Sequence, residues 1–526
     1  MPTKTDPQRD GVAASFIQAH PADVIGVLHG FDRLRLQGTL RSLYHPDVMA
    51  LYLRRAGVLW KDFRTFVTSL TDRIRQSTAD LAQQHHRPMI YLASSATDKE
   101  DLARHYQRRD RVRSGLVAVL SAVEPCRTWF MCGNRATQKL ELKLQWGKCL
   151  HFYFYWVVEP WGWLHVRVQT WFPFLVQVCL NGREWLAHQL DAADIGYRRV
   201  DNCFPWIADL PRAQALMDQQ TQTHWQRPLG RLLDQCHPLH REITRPLGLE
   251  YYWTVAQSEY AADVMFRRRG ALERIYPALV HHAVMSFGAE QVLRFLGRRD
   301  RLGVNDEVLT DRRRGPEGVR VKHWLNDNSL KFYDKGSVLR SEATINEPKD
   351  FRVWRAAEND PRGPKRWRIL RRSVADLPRR AQVSRAATQR HLSALAAVHQ
   401  KTPLAEAAAQ VCRPVYERGR RHRALNPLNA TDAALLAAVN RGEYALNGFR
   451  NRDLRQGLHG PCANARKRRR QMAAVGRRLR LLRAHGLIQK VSGTHRYVVS
   501  PSGRPILTAL LAARQADVQQ LTTFAA

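Results

Sequence analysis

A chain of 526 residues that is 44% hydrophobic and 25% charged is too long for one ordinary core and too apolar for an unfolded ensemble, which points to several folded units. Its 84 Lys and Arg against 47 Asp and Glu leave a net charge of +37, and a field of that sign selects polyanions, so nucleic acid is the leading partner. A basic solubilising surface is the weaker account because the arginines concentrate in particular segments beside aromatic residues, and a membrane surface is set aside because no basic amphipathic anchor lies beside a spanning segment.

Met1 to Asp10 is polar and lacks the apolar stretch of a signal peptide, so the chain is expected not to be exported. From residue 1 to about 120, apolar positions such as Phe63, Phe66, Leu70 and Ile74 recur at three or four residues, which predicts a mainly helical N-terminal unit. Within it Gly30 to Gly38 alternates and predicts a short strand. Its Asp32 reads as a turn residue in preference to a catalytic one.

From Cys149 the texture changes to strands, over Leu150–Val158, Trp163–Trp171 and Pro173–Leu180, the last ending in the tight-turn signal Asn181-Gly182. Glu159, His165, Arg167 and Gln169 interrupt this apolar region, so a buried sheet is expected in place of a membrane span. The period of two puts His165, Arg167 and Gln169 on one face, which either cradles a phosphate backbone or is simply solvated. Eight cysteines stand singly, with no Cys-x-x-Cys pair, which argues against structural zinc and a disulfide framework and for a reducing, cytoplasmic setting.

Residues 250 to about 300 are predicted to return to helix. There Glu259 and Asp263 would sit one turn apart, either to hold a metal ion or to answer Arg267, Arg268 and Arg269 behind them. Asp311 to Gly318 reads as a loop, Glu358 to Lys365 as an exposed linker or loop, 373–410 as Ala-rich helix, and Arg413 to Pro427 as a connection. The expected fold class is therefore α+β multidomain: a mainly helical unit over 1–120, a central α+β domain with aromatic-rich strands over 121–355, a basic linker with helices over 356–427, and a C-terminal domain over 428–526.

That last domain has the clearest pattern. Thr431 is a plausible cap for a helix over Ala433–Val439, Asn447-Gly448 ends its extension, Phe449–Leu458 is a second helix, and Gly460-Pro461 precedes a third over about Asn464–His485. On a wheel of about 100 degrees per residue, Met472, Val475, Leu479 and Leu482 fall in one sector. Arg466, Arg470 and Arg477 fall opposite, with Arg480 at the edge. Gly486 stops the helix, Leu487–Val491 and Arg496–Ser500 form strands about the turn Ser492-Gly493-Thr494, and an amphipathic helix begins at Gly503. Three helices, a hairpin and a helix over about 80 residues resemble the winged-helix domains of bacterial transcription regulators and mobile-element proteins. The resemblance implies a reading helix in a major groove, with Lys490 and Arg496 on the hairpin as further contacts and Arg167 as a contact on the sheet.

Residues 328–346 contain two alternating runs about Lys335-Gly336, predicting a hairpin. With a two-residue loop, Phe332 pairs with Leu339 on the apolar face and Lys331 opposes Arg340, with Tyr333 and Glu342 on that polar face. A phenol, two cations and a carboxylate on one surface are parts for phosphodiester transfer, or for binding a backbone without cutting it. Lys-Phe-Tyr-Asp-Lys-Gly followed by Leu-Arg-Ser-Glu is similar to a strand pair in plasmid and phage rolling-circle replication initiators. The likeness implies nicking by Tyr333 with Glu342, Arg340 and Lys331 in support, and magnesium or manganese as the metal. The His-apolar-His pair of the best-known members of that group is absent from the sequence.

No phosphate loop, dinucleotide fingerprint or His-Glu-x-x-His stands in the chain, so nothing points to a nucleotide, flavin or zinc cofactor. A metal nuclease of dispersed carboxylates such as Asp32, Asp201, Asp263 and Glu342 stays open. The expectation is a nucleic-acid-binding protein of a mobile element or replicon, with DNA ahead of RNA, acting as nickase, nuclease or strand transferase. The alternative is a noncatalytic DNA-binding regulator or the RNA-binding part of a ribonucleoprotein.

Overall fold

The computed structural model describes residues 13–515, apart from 137, 238, 298–306, 316–317, 359, 397–403, 418, 442–443, 445–447, 492–493 and 501. The chain is α+β. It divides into two compact units, each discontinuous in sequence: one of Met1–Leu28, Ala261–Ala343 and Gln382–Ala526, the other of His29–Tyr260 and Thr344–Ala381.

The second unit is built on strands in the order Val24–Thr39, Val176–Asn181, Gly162–Gln169, Lys139–Val158, Gly115–Asn134 and Met89–Tyr91. Residues 152–158, Phe-Tyr-Phe-Tyr-Trp-Val-Val, and their neighbours are the β-branched and aromatic types that suit a pleated surface covered on both sides, and Phe152, Phe154 and Val166 are fully buried. Gly115–Asn134 and Lys139–Val158 pair antiparallel along their whole lengths, from Gly115 opposite Val157 to Asn134 opposite Lys139. The helix Phe63–Gln84 carries the expected helical repeat and buries Phe63, Val67, Leu70 and Ile74. The strand expected at Gly30–Gly38 extends over Val24–Thr39.

Asn181-Gly182 is a correction. It makes no hairpin turn: Asn181 caps the helix Gly182–Ala192, its side chain accepting from the Arg183 and Glu184 N–H groups. Asn is favoured at both places, because the side-chain oxygen that closes a turn also satisfies the free N–H groups of a helix start.

In the first unit the strands Val308–Gly315, Gly318–Leu325, Asn328–Asp334 and Val338–Thr344 follow one another as neighbours. Asp311–Gly318 is thus strand and hairpin, with 316–317 outside the described residues, where a loop was expected. Arg312, Arg313 and Arg314 are exposed on this end strand, and charge on a strand edge blocks further pairing without an apolar pattern to reveal the strand.

A second correction concerns 250–266. Tyr252–Phe266 is a strand, and helix begins only at Arg269–Ser286. Residues four apart share a face in either structure, so the spacing of Glu259 and Asp263 did not discriminate, whereas the run Tyr252-Trp253-Thr254-Val255 favours strand.

Leu377–Ala396 and Leu404–Cys412 are helical, as expected for 373–410. The Glu358–Lys365 stretch joins two short paired strands, Arg352–Arg355 and Arg366–Ile369. Beyond them come helices Ala430–Val439, Asn451–His459 and Ala465–Ala484, the paired strands Ile488–Lys490 and Tyr497–Val499, and the helix Gly503–Gln515. Asn429, not Thr431, caps the first of these by accepting from the Thr431 N–H. Gly448 and Gly486 take φ of +62° and +68°, the left-handed conformation that ends helices. The expected turn at Ser492-Gly493 and Asn447 lie outside the described residues. No helix among the described residues is long and apolar enough to cross a membrane.

Candidate functional site

The helix Ala465–Ala484 starts at Asn464, whose side chain accepts from the Lys467 N–H at 2.9 Å. Its C-terminal half is anchored by Val475, Leu479, Leu481 and Leu482 in a core with Leu435, Phe449, Leu454, Leu487 and Leu507. Its N-terminal half stands clear of that core, and Ala465 to Arg470 are all exposed. Met472, expected on the apolar back, is 40% exposed; the core begins one turn later, at Val475.

The sequence of this helix holds nine Lys or Arg and no acid. Arg466, Arg470, Arg477 and Arg480 are exposed, with no carboxylate partner among the described residues. Cations in a first turn oppose the helix dipole, and like charges four residues apart, as Arg466 and Arg470, repel. A bound polyanion relieves both. Lys490 is exposed on the adjoining ladder, while Arg496 is half-buried and donates to the Gly448 carbonyl at 3.2 Å.

In the hairpin of Asn328–Asp334 and Val338–Thr344, the Lys335 N–H donates to the Val338 carbonyl. The tip is therefore Gly336-Ser337, with Gly336 at φ +83°, not Lys335-Gly336. This slides the pairing by two residues and keeps the faces, so Lys331 meets Glu342 and not Arg340: Lys331 Nζ lies 2.7 Å from Glu342 Oε1. The Tyr333 hydroxyl donates to Glu342 Oε2 at 3.1 Å. Three of the four expected residues thus converge. Arg340 instead makes a two-pronged pair with Asp263, at 2.7 and 2.9 Å, with both side chains 1% exposed. A carboxylate accepting from a phenol can take its proton and leave a phenolate nucleophile.

The other face of this hairpin holds a group that sequence did not reveal. Ser341 Oγ is 2.9 Å from His391 Nδ1, and Thr310 Oγ1 is 2.9 Å from His323 Nδ1. The two imidazoles meet edge to face with centroids 5.8 Å apart. Burial pushes His323 down to about 4 and His391 well below its ordinary range. Ser341, His323 and His391 have no exposed surface, so the pair Ser341–His391 is part of the packing.

In the second unit Arg167, on the expected polar sheet face, is engaged within the protein. Arg167 reaches Glu124 at 2.9 Å and Gln177 at 3.3 Å, Tyr153 donates to Glu124 at 2.6 Å, and Lys99 lies 3.1 Å from Glu124. Burial would raise the Glu124 carboxyl, but Tyr153, Lys99 and Arg167 hold it below the ordinary carboxylate range. Beside them Cys126, Cys149 and His151 are buried, with donor atoms within 4.8 Å of one another, a set suited to a thiophilic cation. Their contact and their burial push the Cys149 thiol up, and burial pushes His151 down to about 4. Cysteine spacing concealed this group, since strand pairing brings Cys126 to Cys149 while Cys149 and His151 share a face two residues apart.

Asp32 accepts from Asn202 at 2.7 Å, and one of its oxygens lies within 4.8 Å of one from Glu259, close enough for both to ligate a hard divalent cation. Asp201 is exposed at φ +49°, in the turn between Tyr197–Val200 and Cys203–Ile207. Asp263 is committed to Arg340. No protein-family model, curated protein or solved structure matches this chain.

Proposed function

We propose that the chain is a nucleic-acid-binding protein of a mobile element or replicon, gripping a duplex through a winged-helix domain over 428–526 with Ala465–Ala484 as its reading helix. The observation that carries this is the division of that helix into a leucine-anchored side and an exposed, acid-free arginine side. The order helix, helix, helix, two-stranded ladder, helix over Ala430–Gln515 supports the domain assignment. A helix of this length extends about 30 Å and suits the wide major groove of DNA; the deep, narrow groove of an RNA duplex does not admit it. DNA is therefore the favoured ligand. Binding of labelled duplex DNA and of an RNA duplex, followed by fluorescence anisotropy across a salt series, tests the proposal. No DNA binding at low salt, or affinity indifferent to salt, would refute it.

A second reading adds phosphodiester cleavage, favoured by one contact, the Tyr333 hydroxyl donating to Glu342. On this reading Tyr333 would attack the phosphorus as Glu342 takes its proton, the P–O bond to the departing strand would break to leave a free hydroxyl, and Lys331 would be the cation beside them, with magnesium or manganese supplied in solution. Tyr333 is 6% and Glu342 1% exposed, so the reading also requires the hairpin to uncover them. Supercoiled DNA incubated with either metal is nicked on this reading. Intact DNA leaves a noncatalytic binding protein, a regulator or a ribonucleoprotein component.

A further inference from the structure

The paired strands Arg352–Arg355 and Arg366–Ile369 set Trp354 directly opposite Trp367, and Arg352 opposite Ile369. Residues opposite one another, and residues two apart, share a face of a ladder, so these four side chains form one surface. It faces outward: Trp354 is 54%, Trp367 42% and Ile369 49% exposed. The two indole rings stand 5.5 Å apart, tilted by 59°. Two adjacent tryptophans left in water on a short ladder are poor use of the largest apolar side chains, and a contiguous patch of this kind marks a binding surface.

Charge identifies the occupant. The two strands contain four arginines and no acid. Arg355 turns toward Asp376 at 3.6 Å, but Arg352, Lys365 and Arg366 are exposed, with no carboxylate partner among the described residues. Arg379 donates from Nε to the Arg352 carbonyl at 2.8 Å, and its guanidinium carbon lies 5.6 Å from the Trp367 ring centre. A cation is thus held beside the aromatic pair.

An apolar protein partner or a second copy of the chain would use the rings and gain nothing from the cations. A duplex would use the cations and leave the rings idle, because its bases are stacked on one another. An unpaired strand uses both, its bases on the rings and its phosphates on the cations. We propose that this hairpin is a stacking platform for single-stranded nucleic acid, with Trp354 and Trp367 receiving bases and Arg352, Lys365 and Arg379 receiving phosphates. It lies in a different unit from the arginine helix and does not rest on the duplex-binding reading.

The test measures affinity of the full chain for labelled oligothymidylate and oligouridylate of about twenty nucleotides, for a base-free phosphodiester strand of equal length, and for duplex DNA. Trp354→Ala and Trp367→Ala are each expected to weaken single-strand binding by about fivefold or more, about fivefold being the lower end for loss of one stacked base, and to leave duplex and base-free binding unchanged. Trp354→Phe should recover part of the loss. Arg470→Ala with Arg477→Ala should leave oligothymidylate binding intact. The proposal fails if the unaltered chain binds neither single strand, if both tryptophan variants bind them as the unaltered chain does, or if base-free and base-bearing strands lose affinity equally. It also fails if sedimentation shows that the tryptophan variants instead dissociate an oligomer.

Discussion

Replacing Arg470 and Arg477 together by alanine is expected to weaken duplex binding and to flatten its dependence on salt, while leaving the fold intact. Both side chains are exposed on Ala465–Ala484 and neither has a carboxylate partner among the described residues. Alanine is a good helix former, and exposed substitutions of this kind shift stability by about 0.5 kcal/mol or less. If each guanidinium neutralises one phosphate of B-form DNA, each contributes about 0.9 to the slope of log affinity against log salt, about 1.8 for the pair. Raising salt fourfold, from about 50 to about 200 mM, should then cost the unaltered protein about twelvefold more affinity than the variant. Anisotropy of a labelled duplex at four or five salt concentrations measures both slopes, with circular dichroism as the check on folding. Equal slopes and equal affinities in a folded variant would remove this helix from the interface.

Tyr333→Phe and Glu342→Gln should each abolish nicking of supercoiled DNA in magnesium or manganese while the variants still bind the duplex; cleavage retained in both would leave the hairpin a structural element. Arg340→Met strands the buried Asp263 carboxylate and should cost about 3–5 kcal/mol of apparent stability to urea, much of it regained when Asp263→Leu is added, and a single variant as stable as the parent would show that the pair is dispensable. His323 has a folded-state pKa near 4, below the ordinary value of about 6.5, so the unfolded chain binds the proton first. The stability from keeping it neutral is complete above about pH 6.5 and is lost as pH falls toward 4, about 3 kcal/mol in all. In His323→Gln the fall in unfolding midpoint over that range should be shallower, and identical profiles for the two proteins would contradict the burial of a neutral imidazole.

How much was legible in sequence varied with the kind of pattern. The C-terminal helices and strands were placed within a few residues because each carries local punctuation, Asn464 at a start and Gly486 at an end, and because Val475, Leu479 and Leu482 repeat at helical spacing. Met472 fits the same wheel yet lies in water, since a wheel gives direction but not where the opposing core begins. The Tyr252–Phe266 strand was taken for helix on a spacing common to both structures. Asn181-Gly182 marked a real boundary whose identity depended on what followed it.

Of the candidate sites, local pattern determined which residues of the 328–346 hairpin share a face, because alternation in a strand survives any even change in loop length. It did not determine partners. A slide of two residues gave Glu342 to Lys331, and a segment far away in sequence, carrying Asp263, claimed Arg340. The same holds for Cys126 with Cys149 and for Ser341 with His391, whose meetings depend on pairing and packing between distant segments. The tryptophan pair sits between these cases: its residues are plain in the sequence, but register put the rings together, and packing among the described residues left them exposed. Composition determined the net charge of +37 on which the polyanion proposal rests, since charge sums without regard to fold. Tertiary structure decided which arginines are available to do so, because Arg340 is spent on a buried carboxylate, Arg167 on Glu124, and those of the Ala465–Ala484 face on none among the described residues.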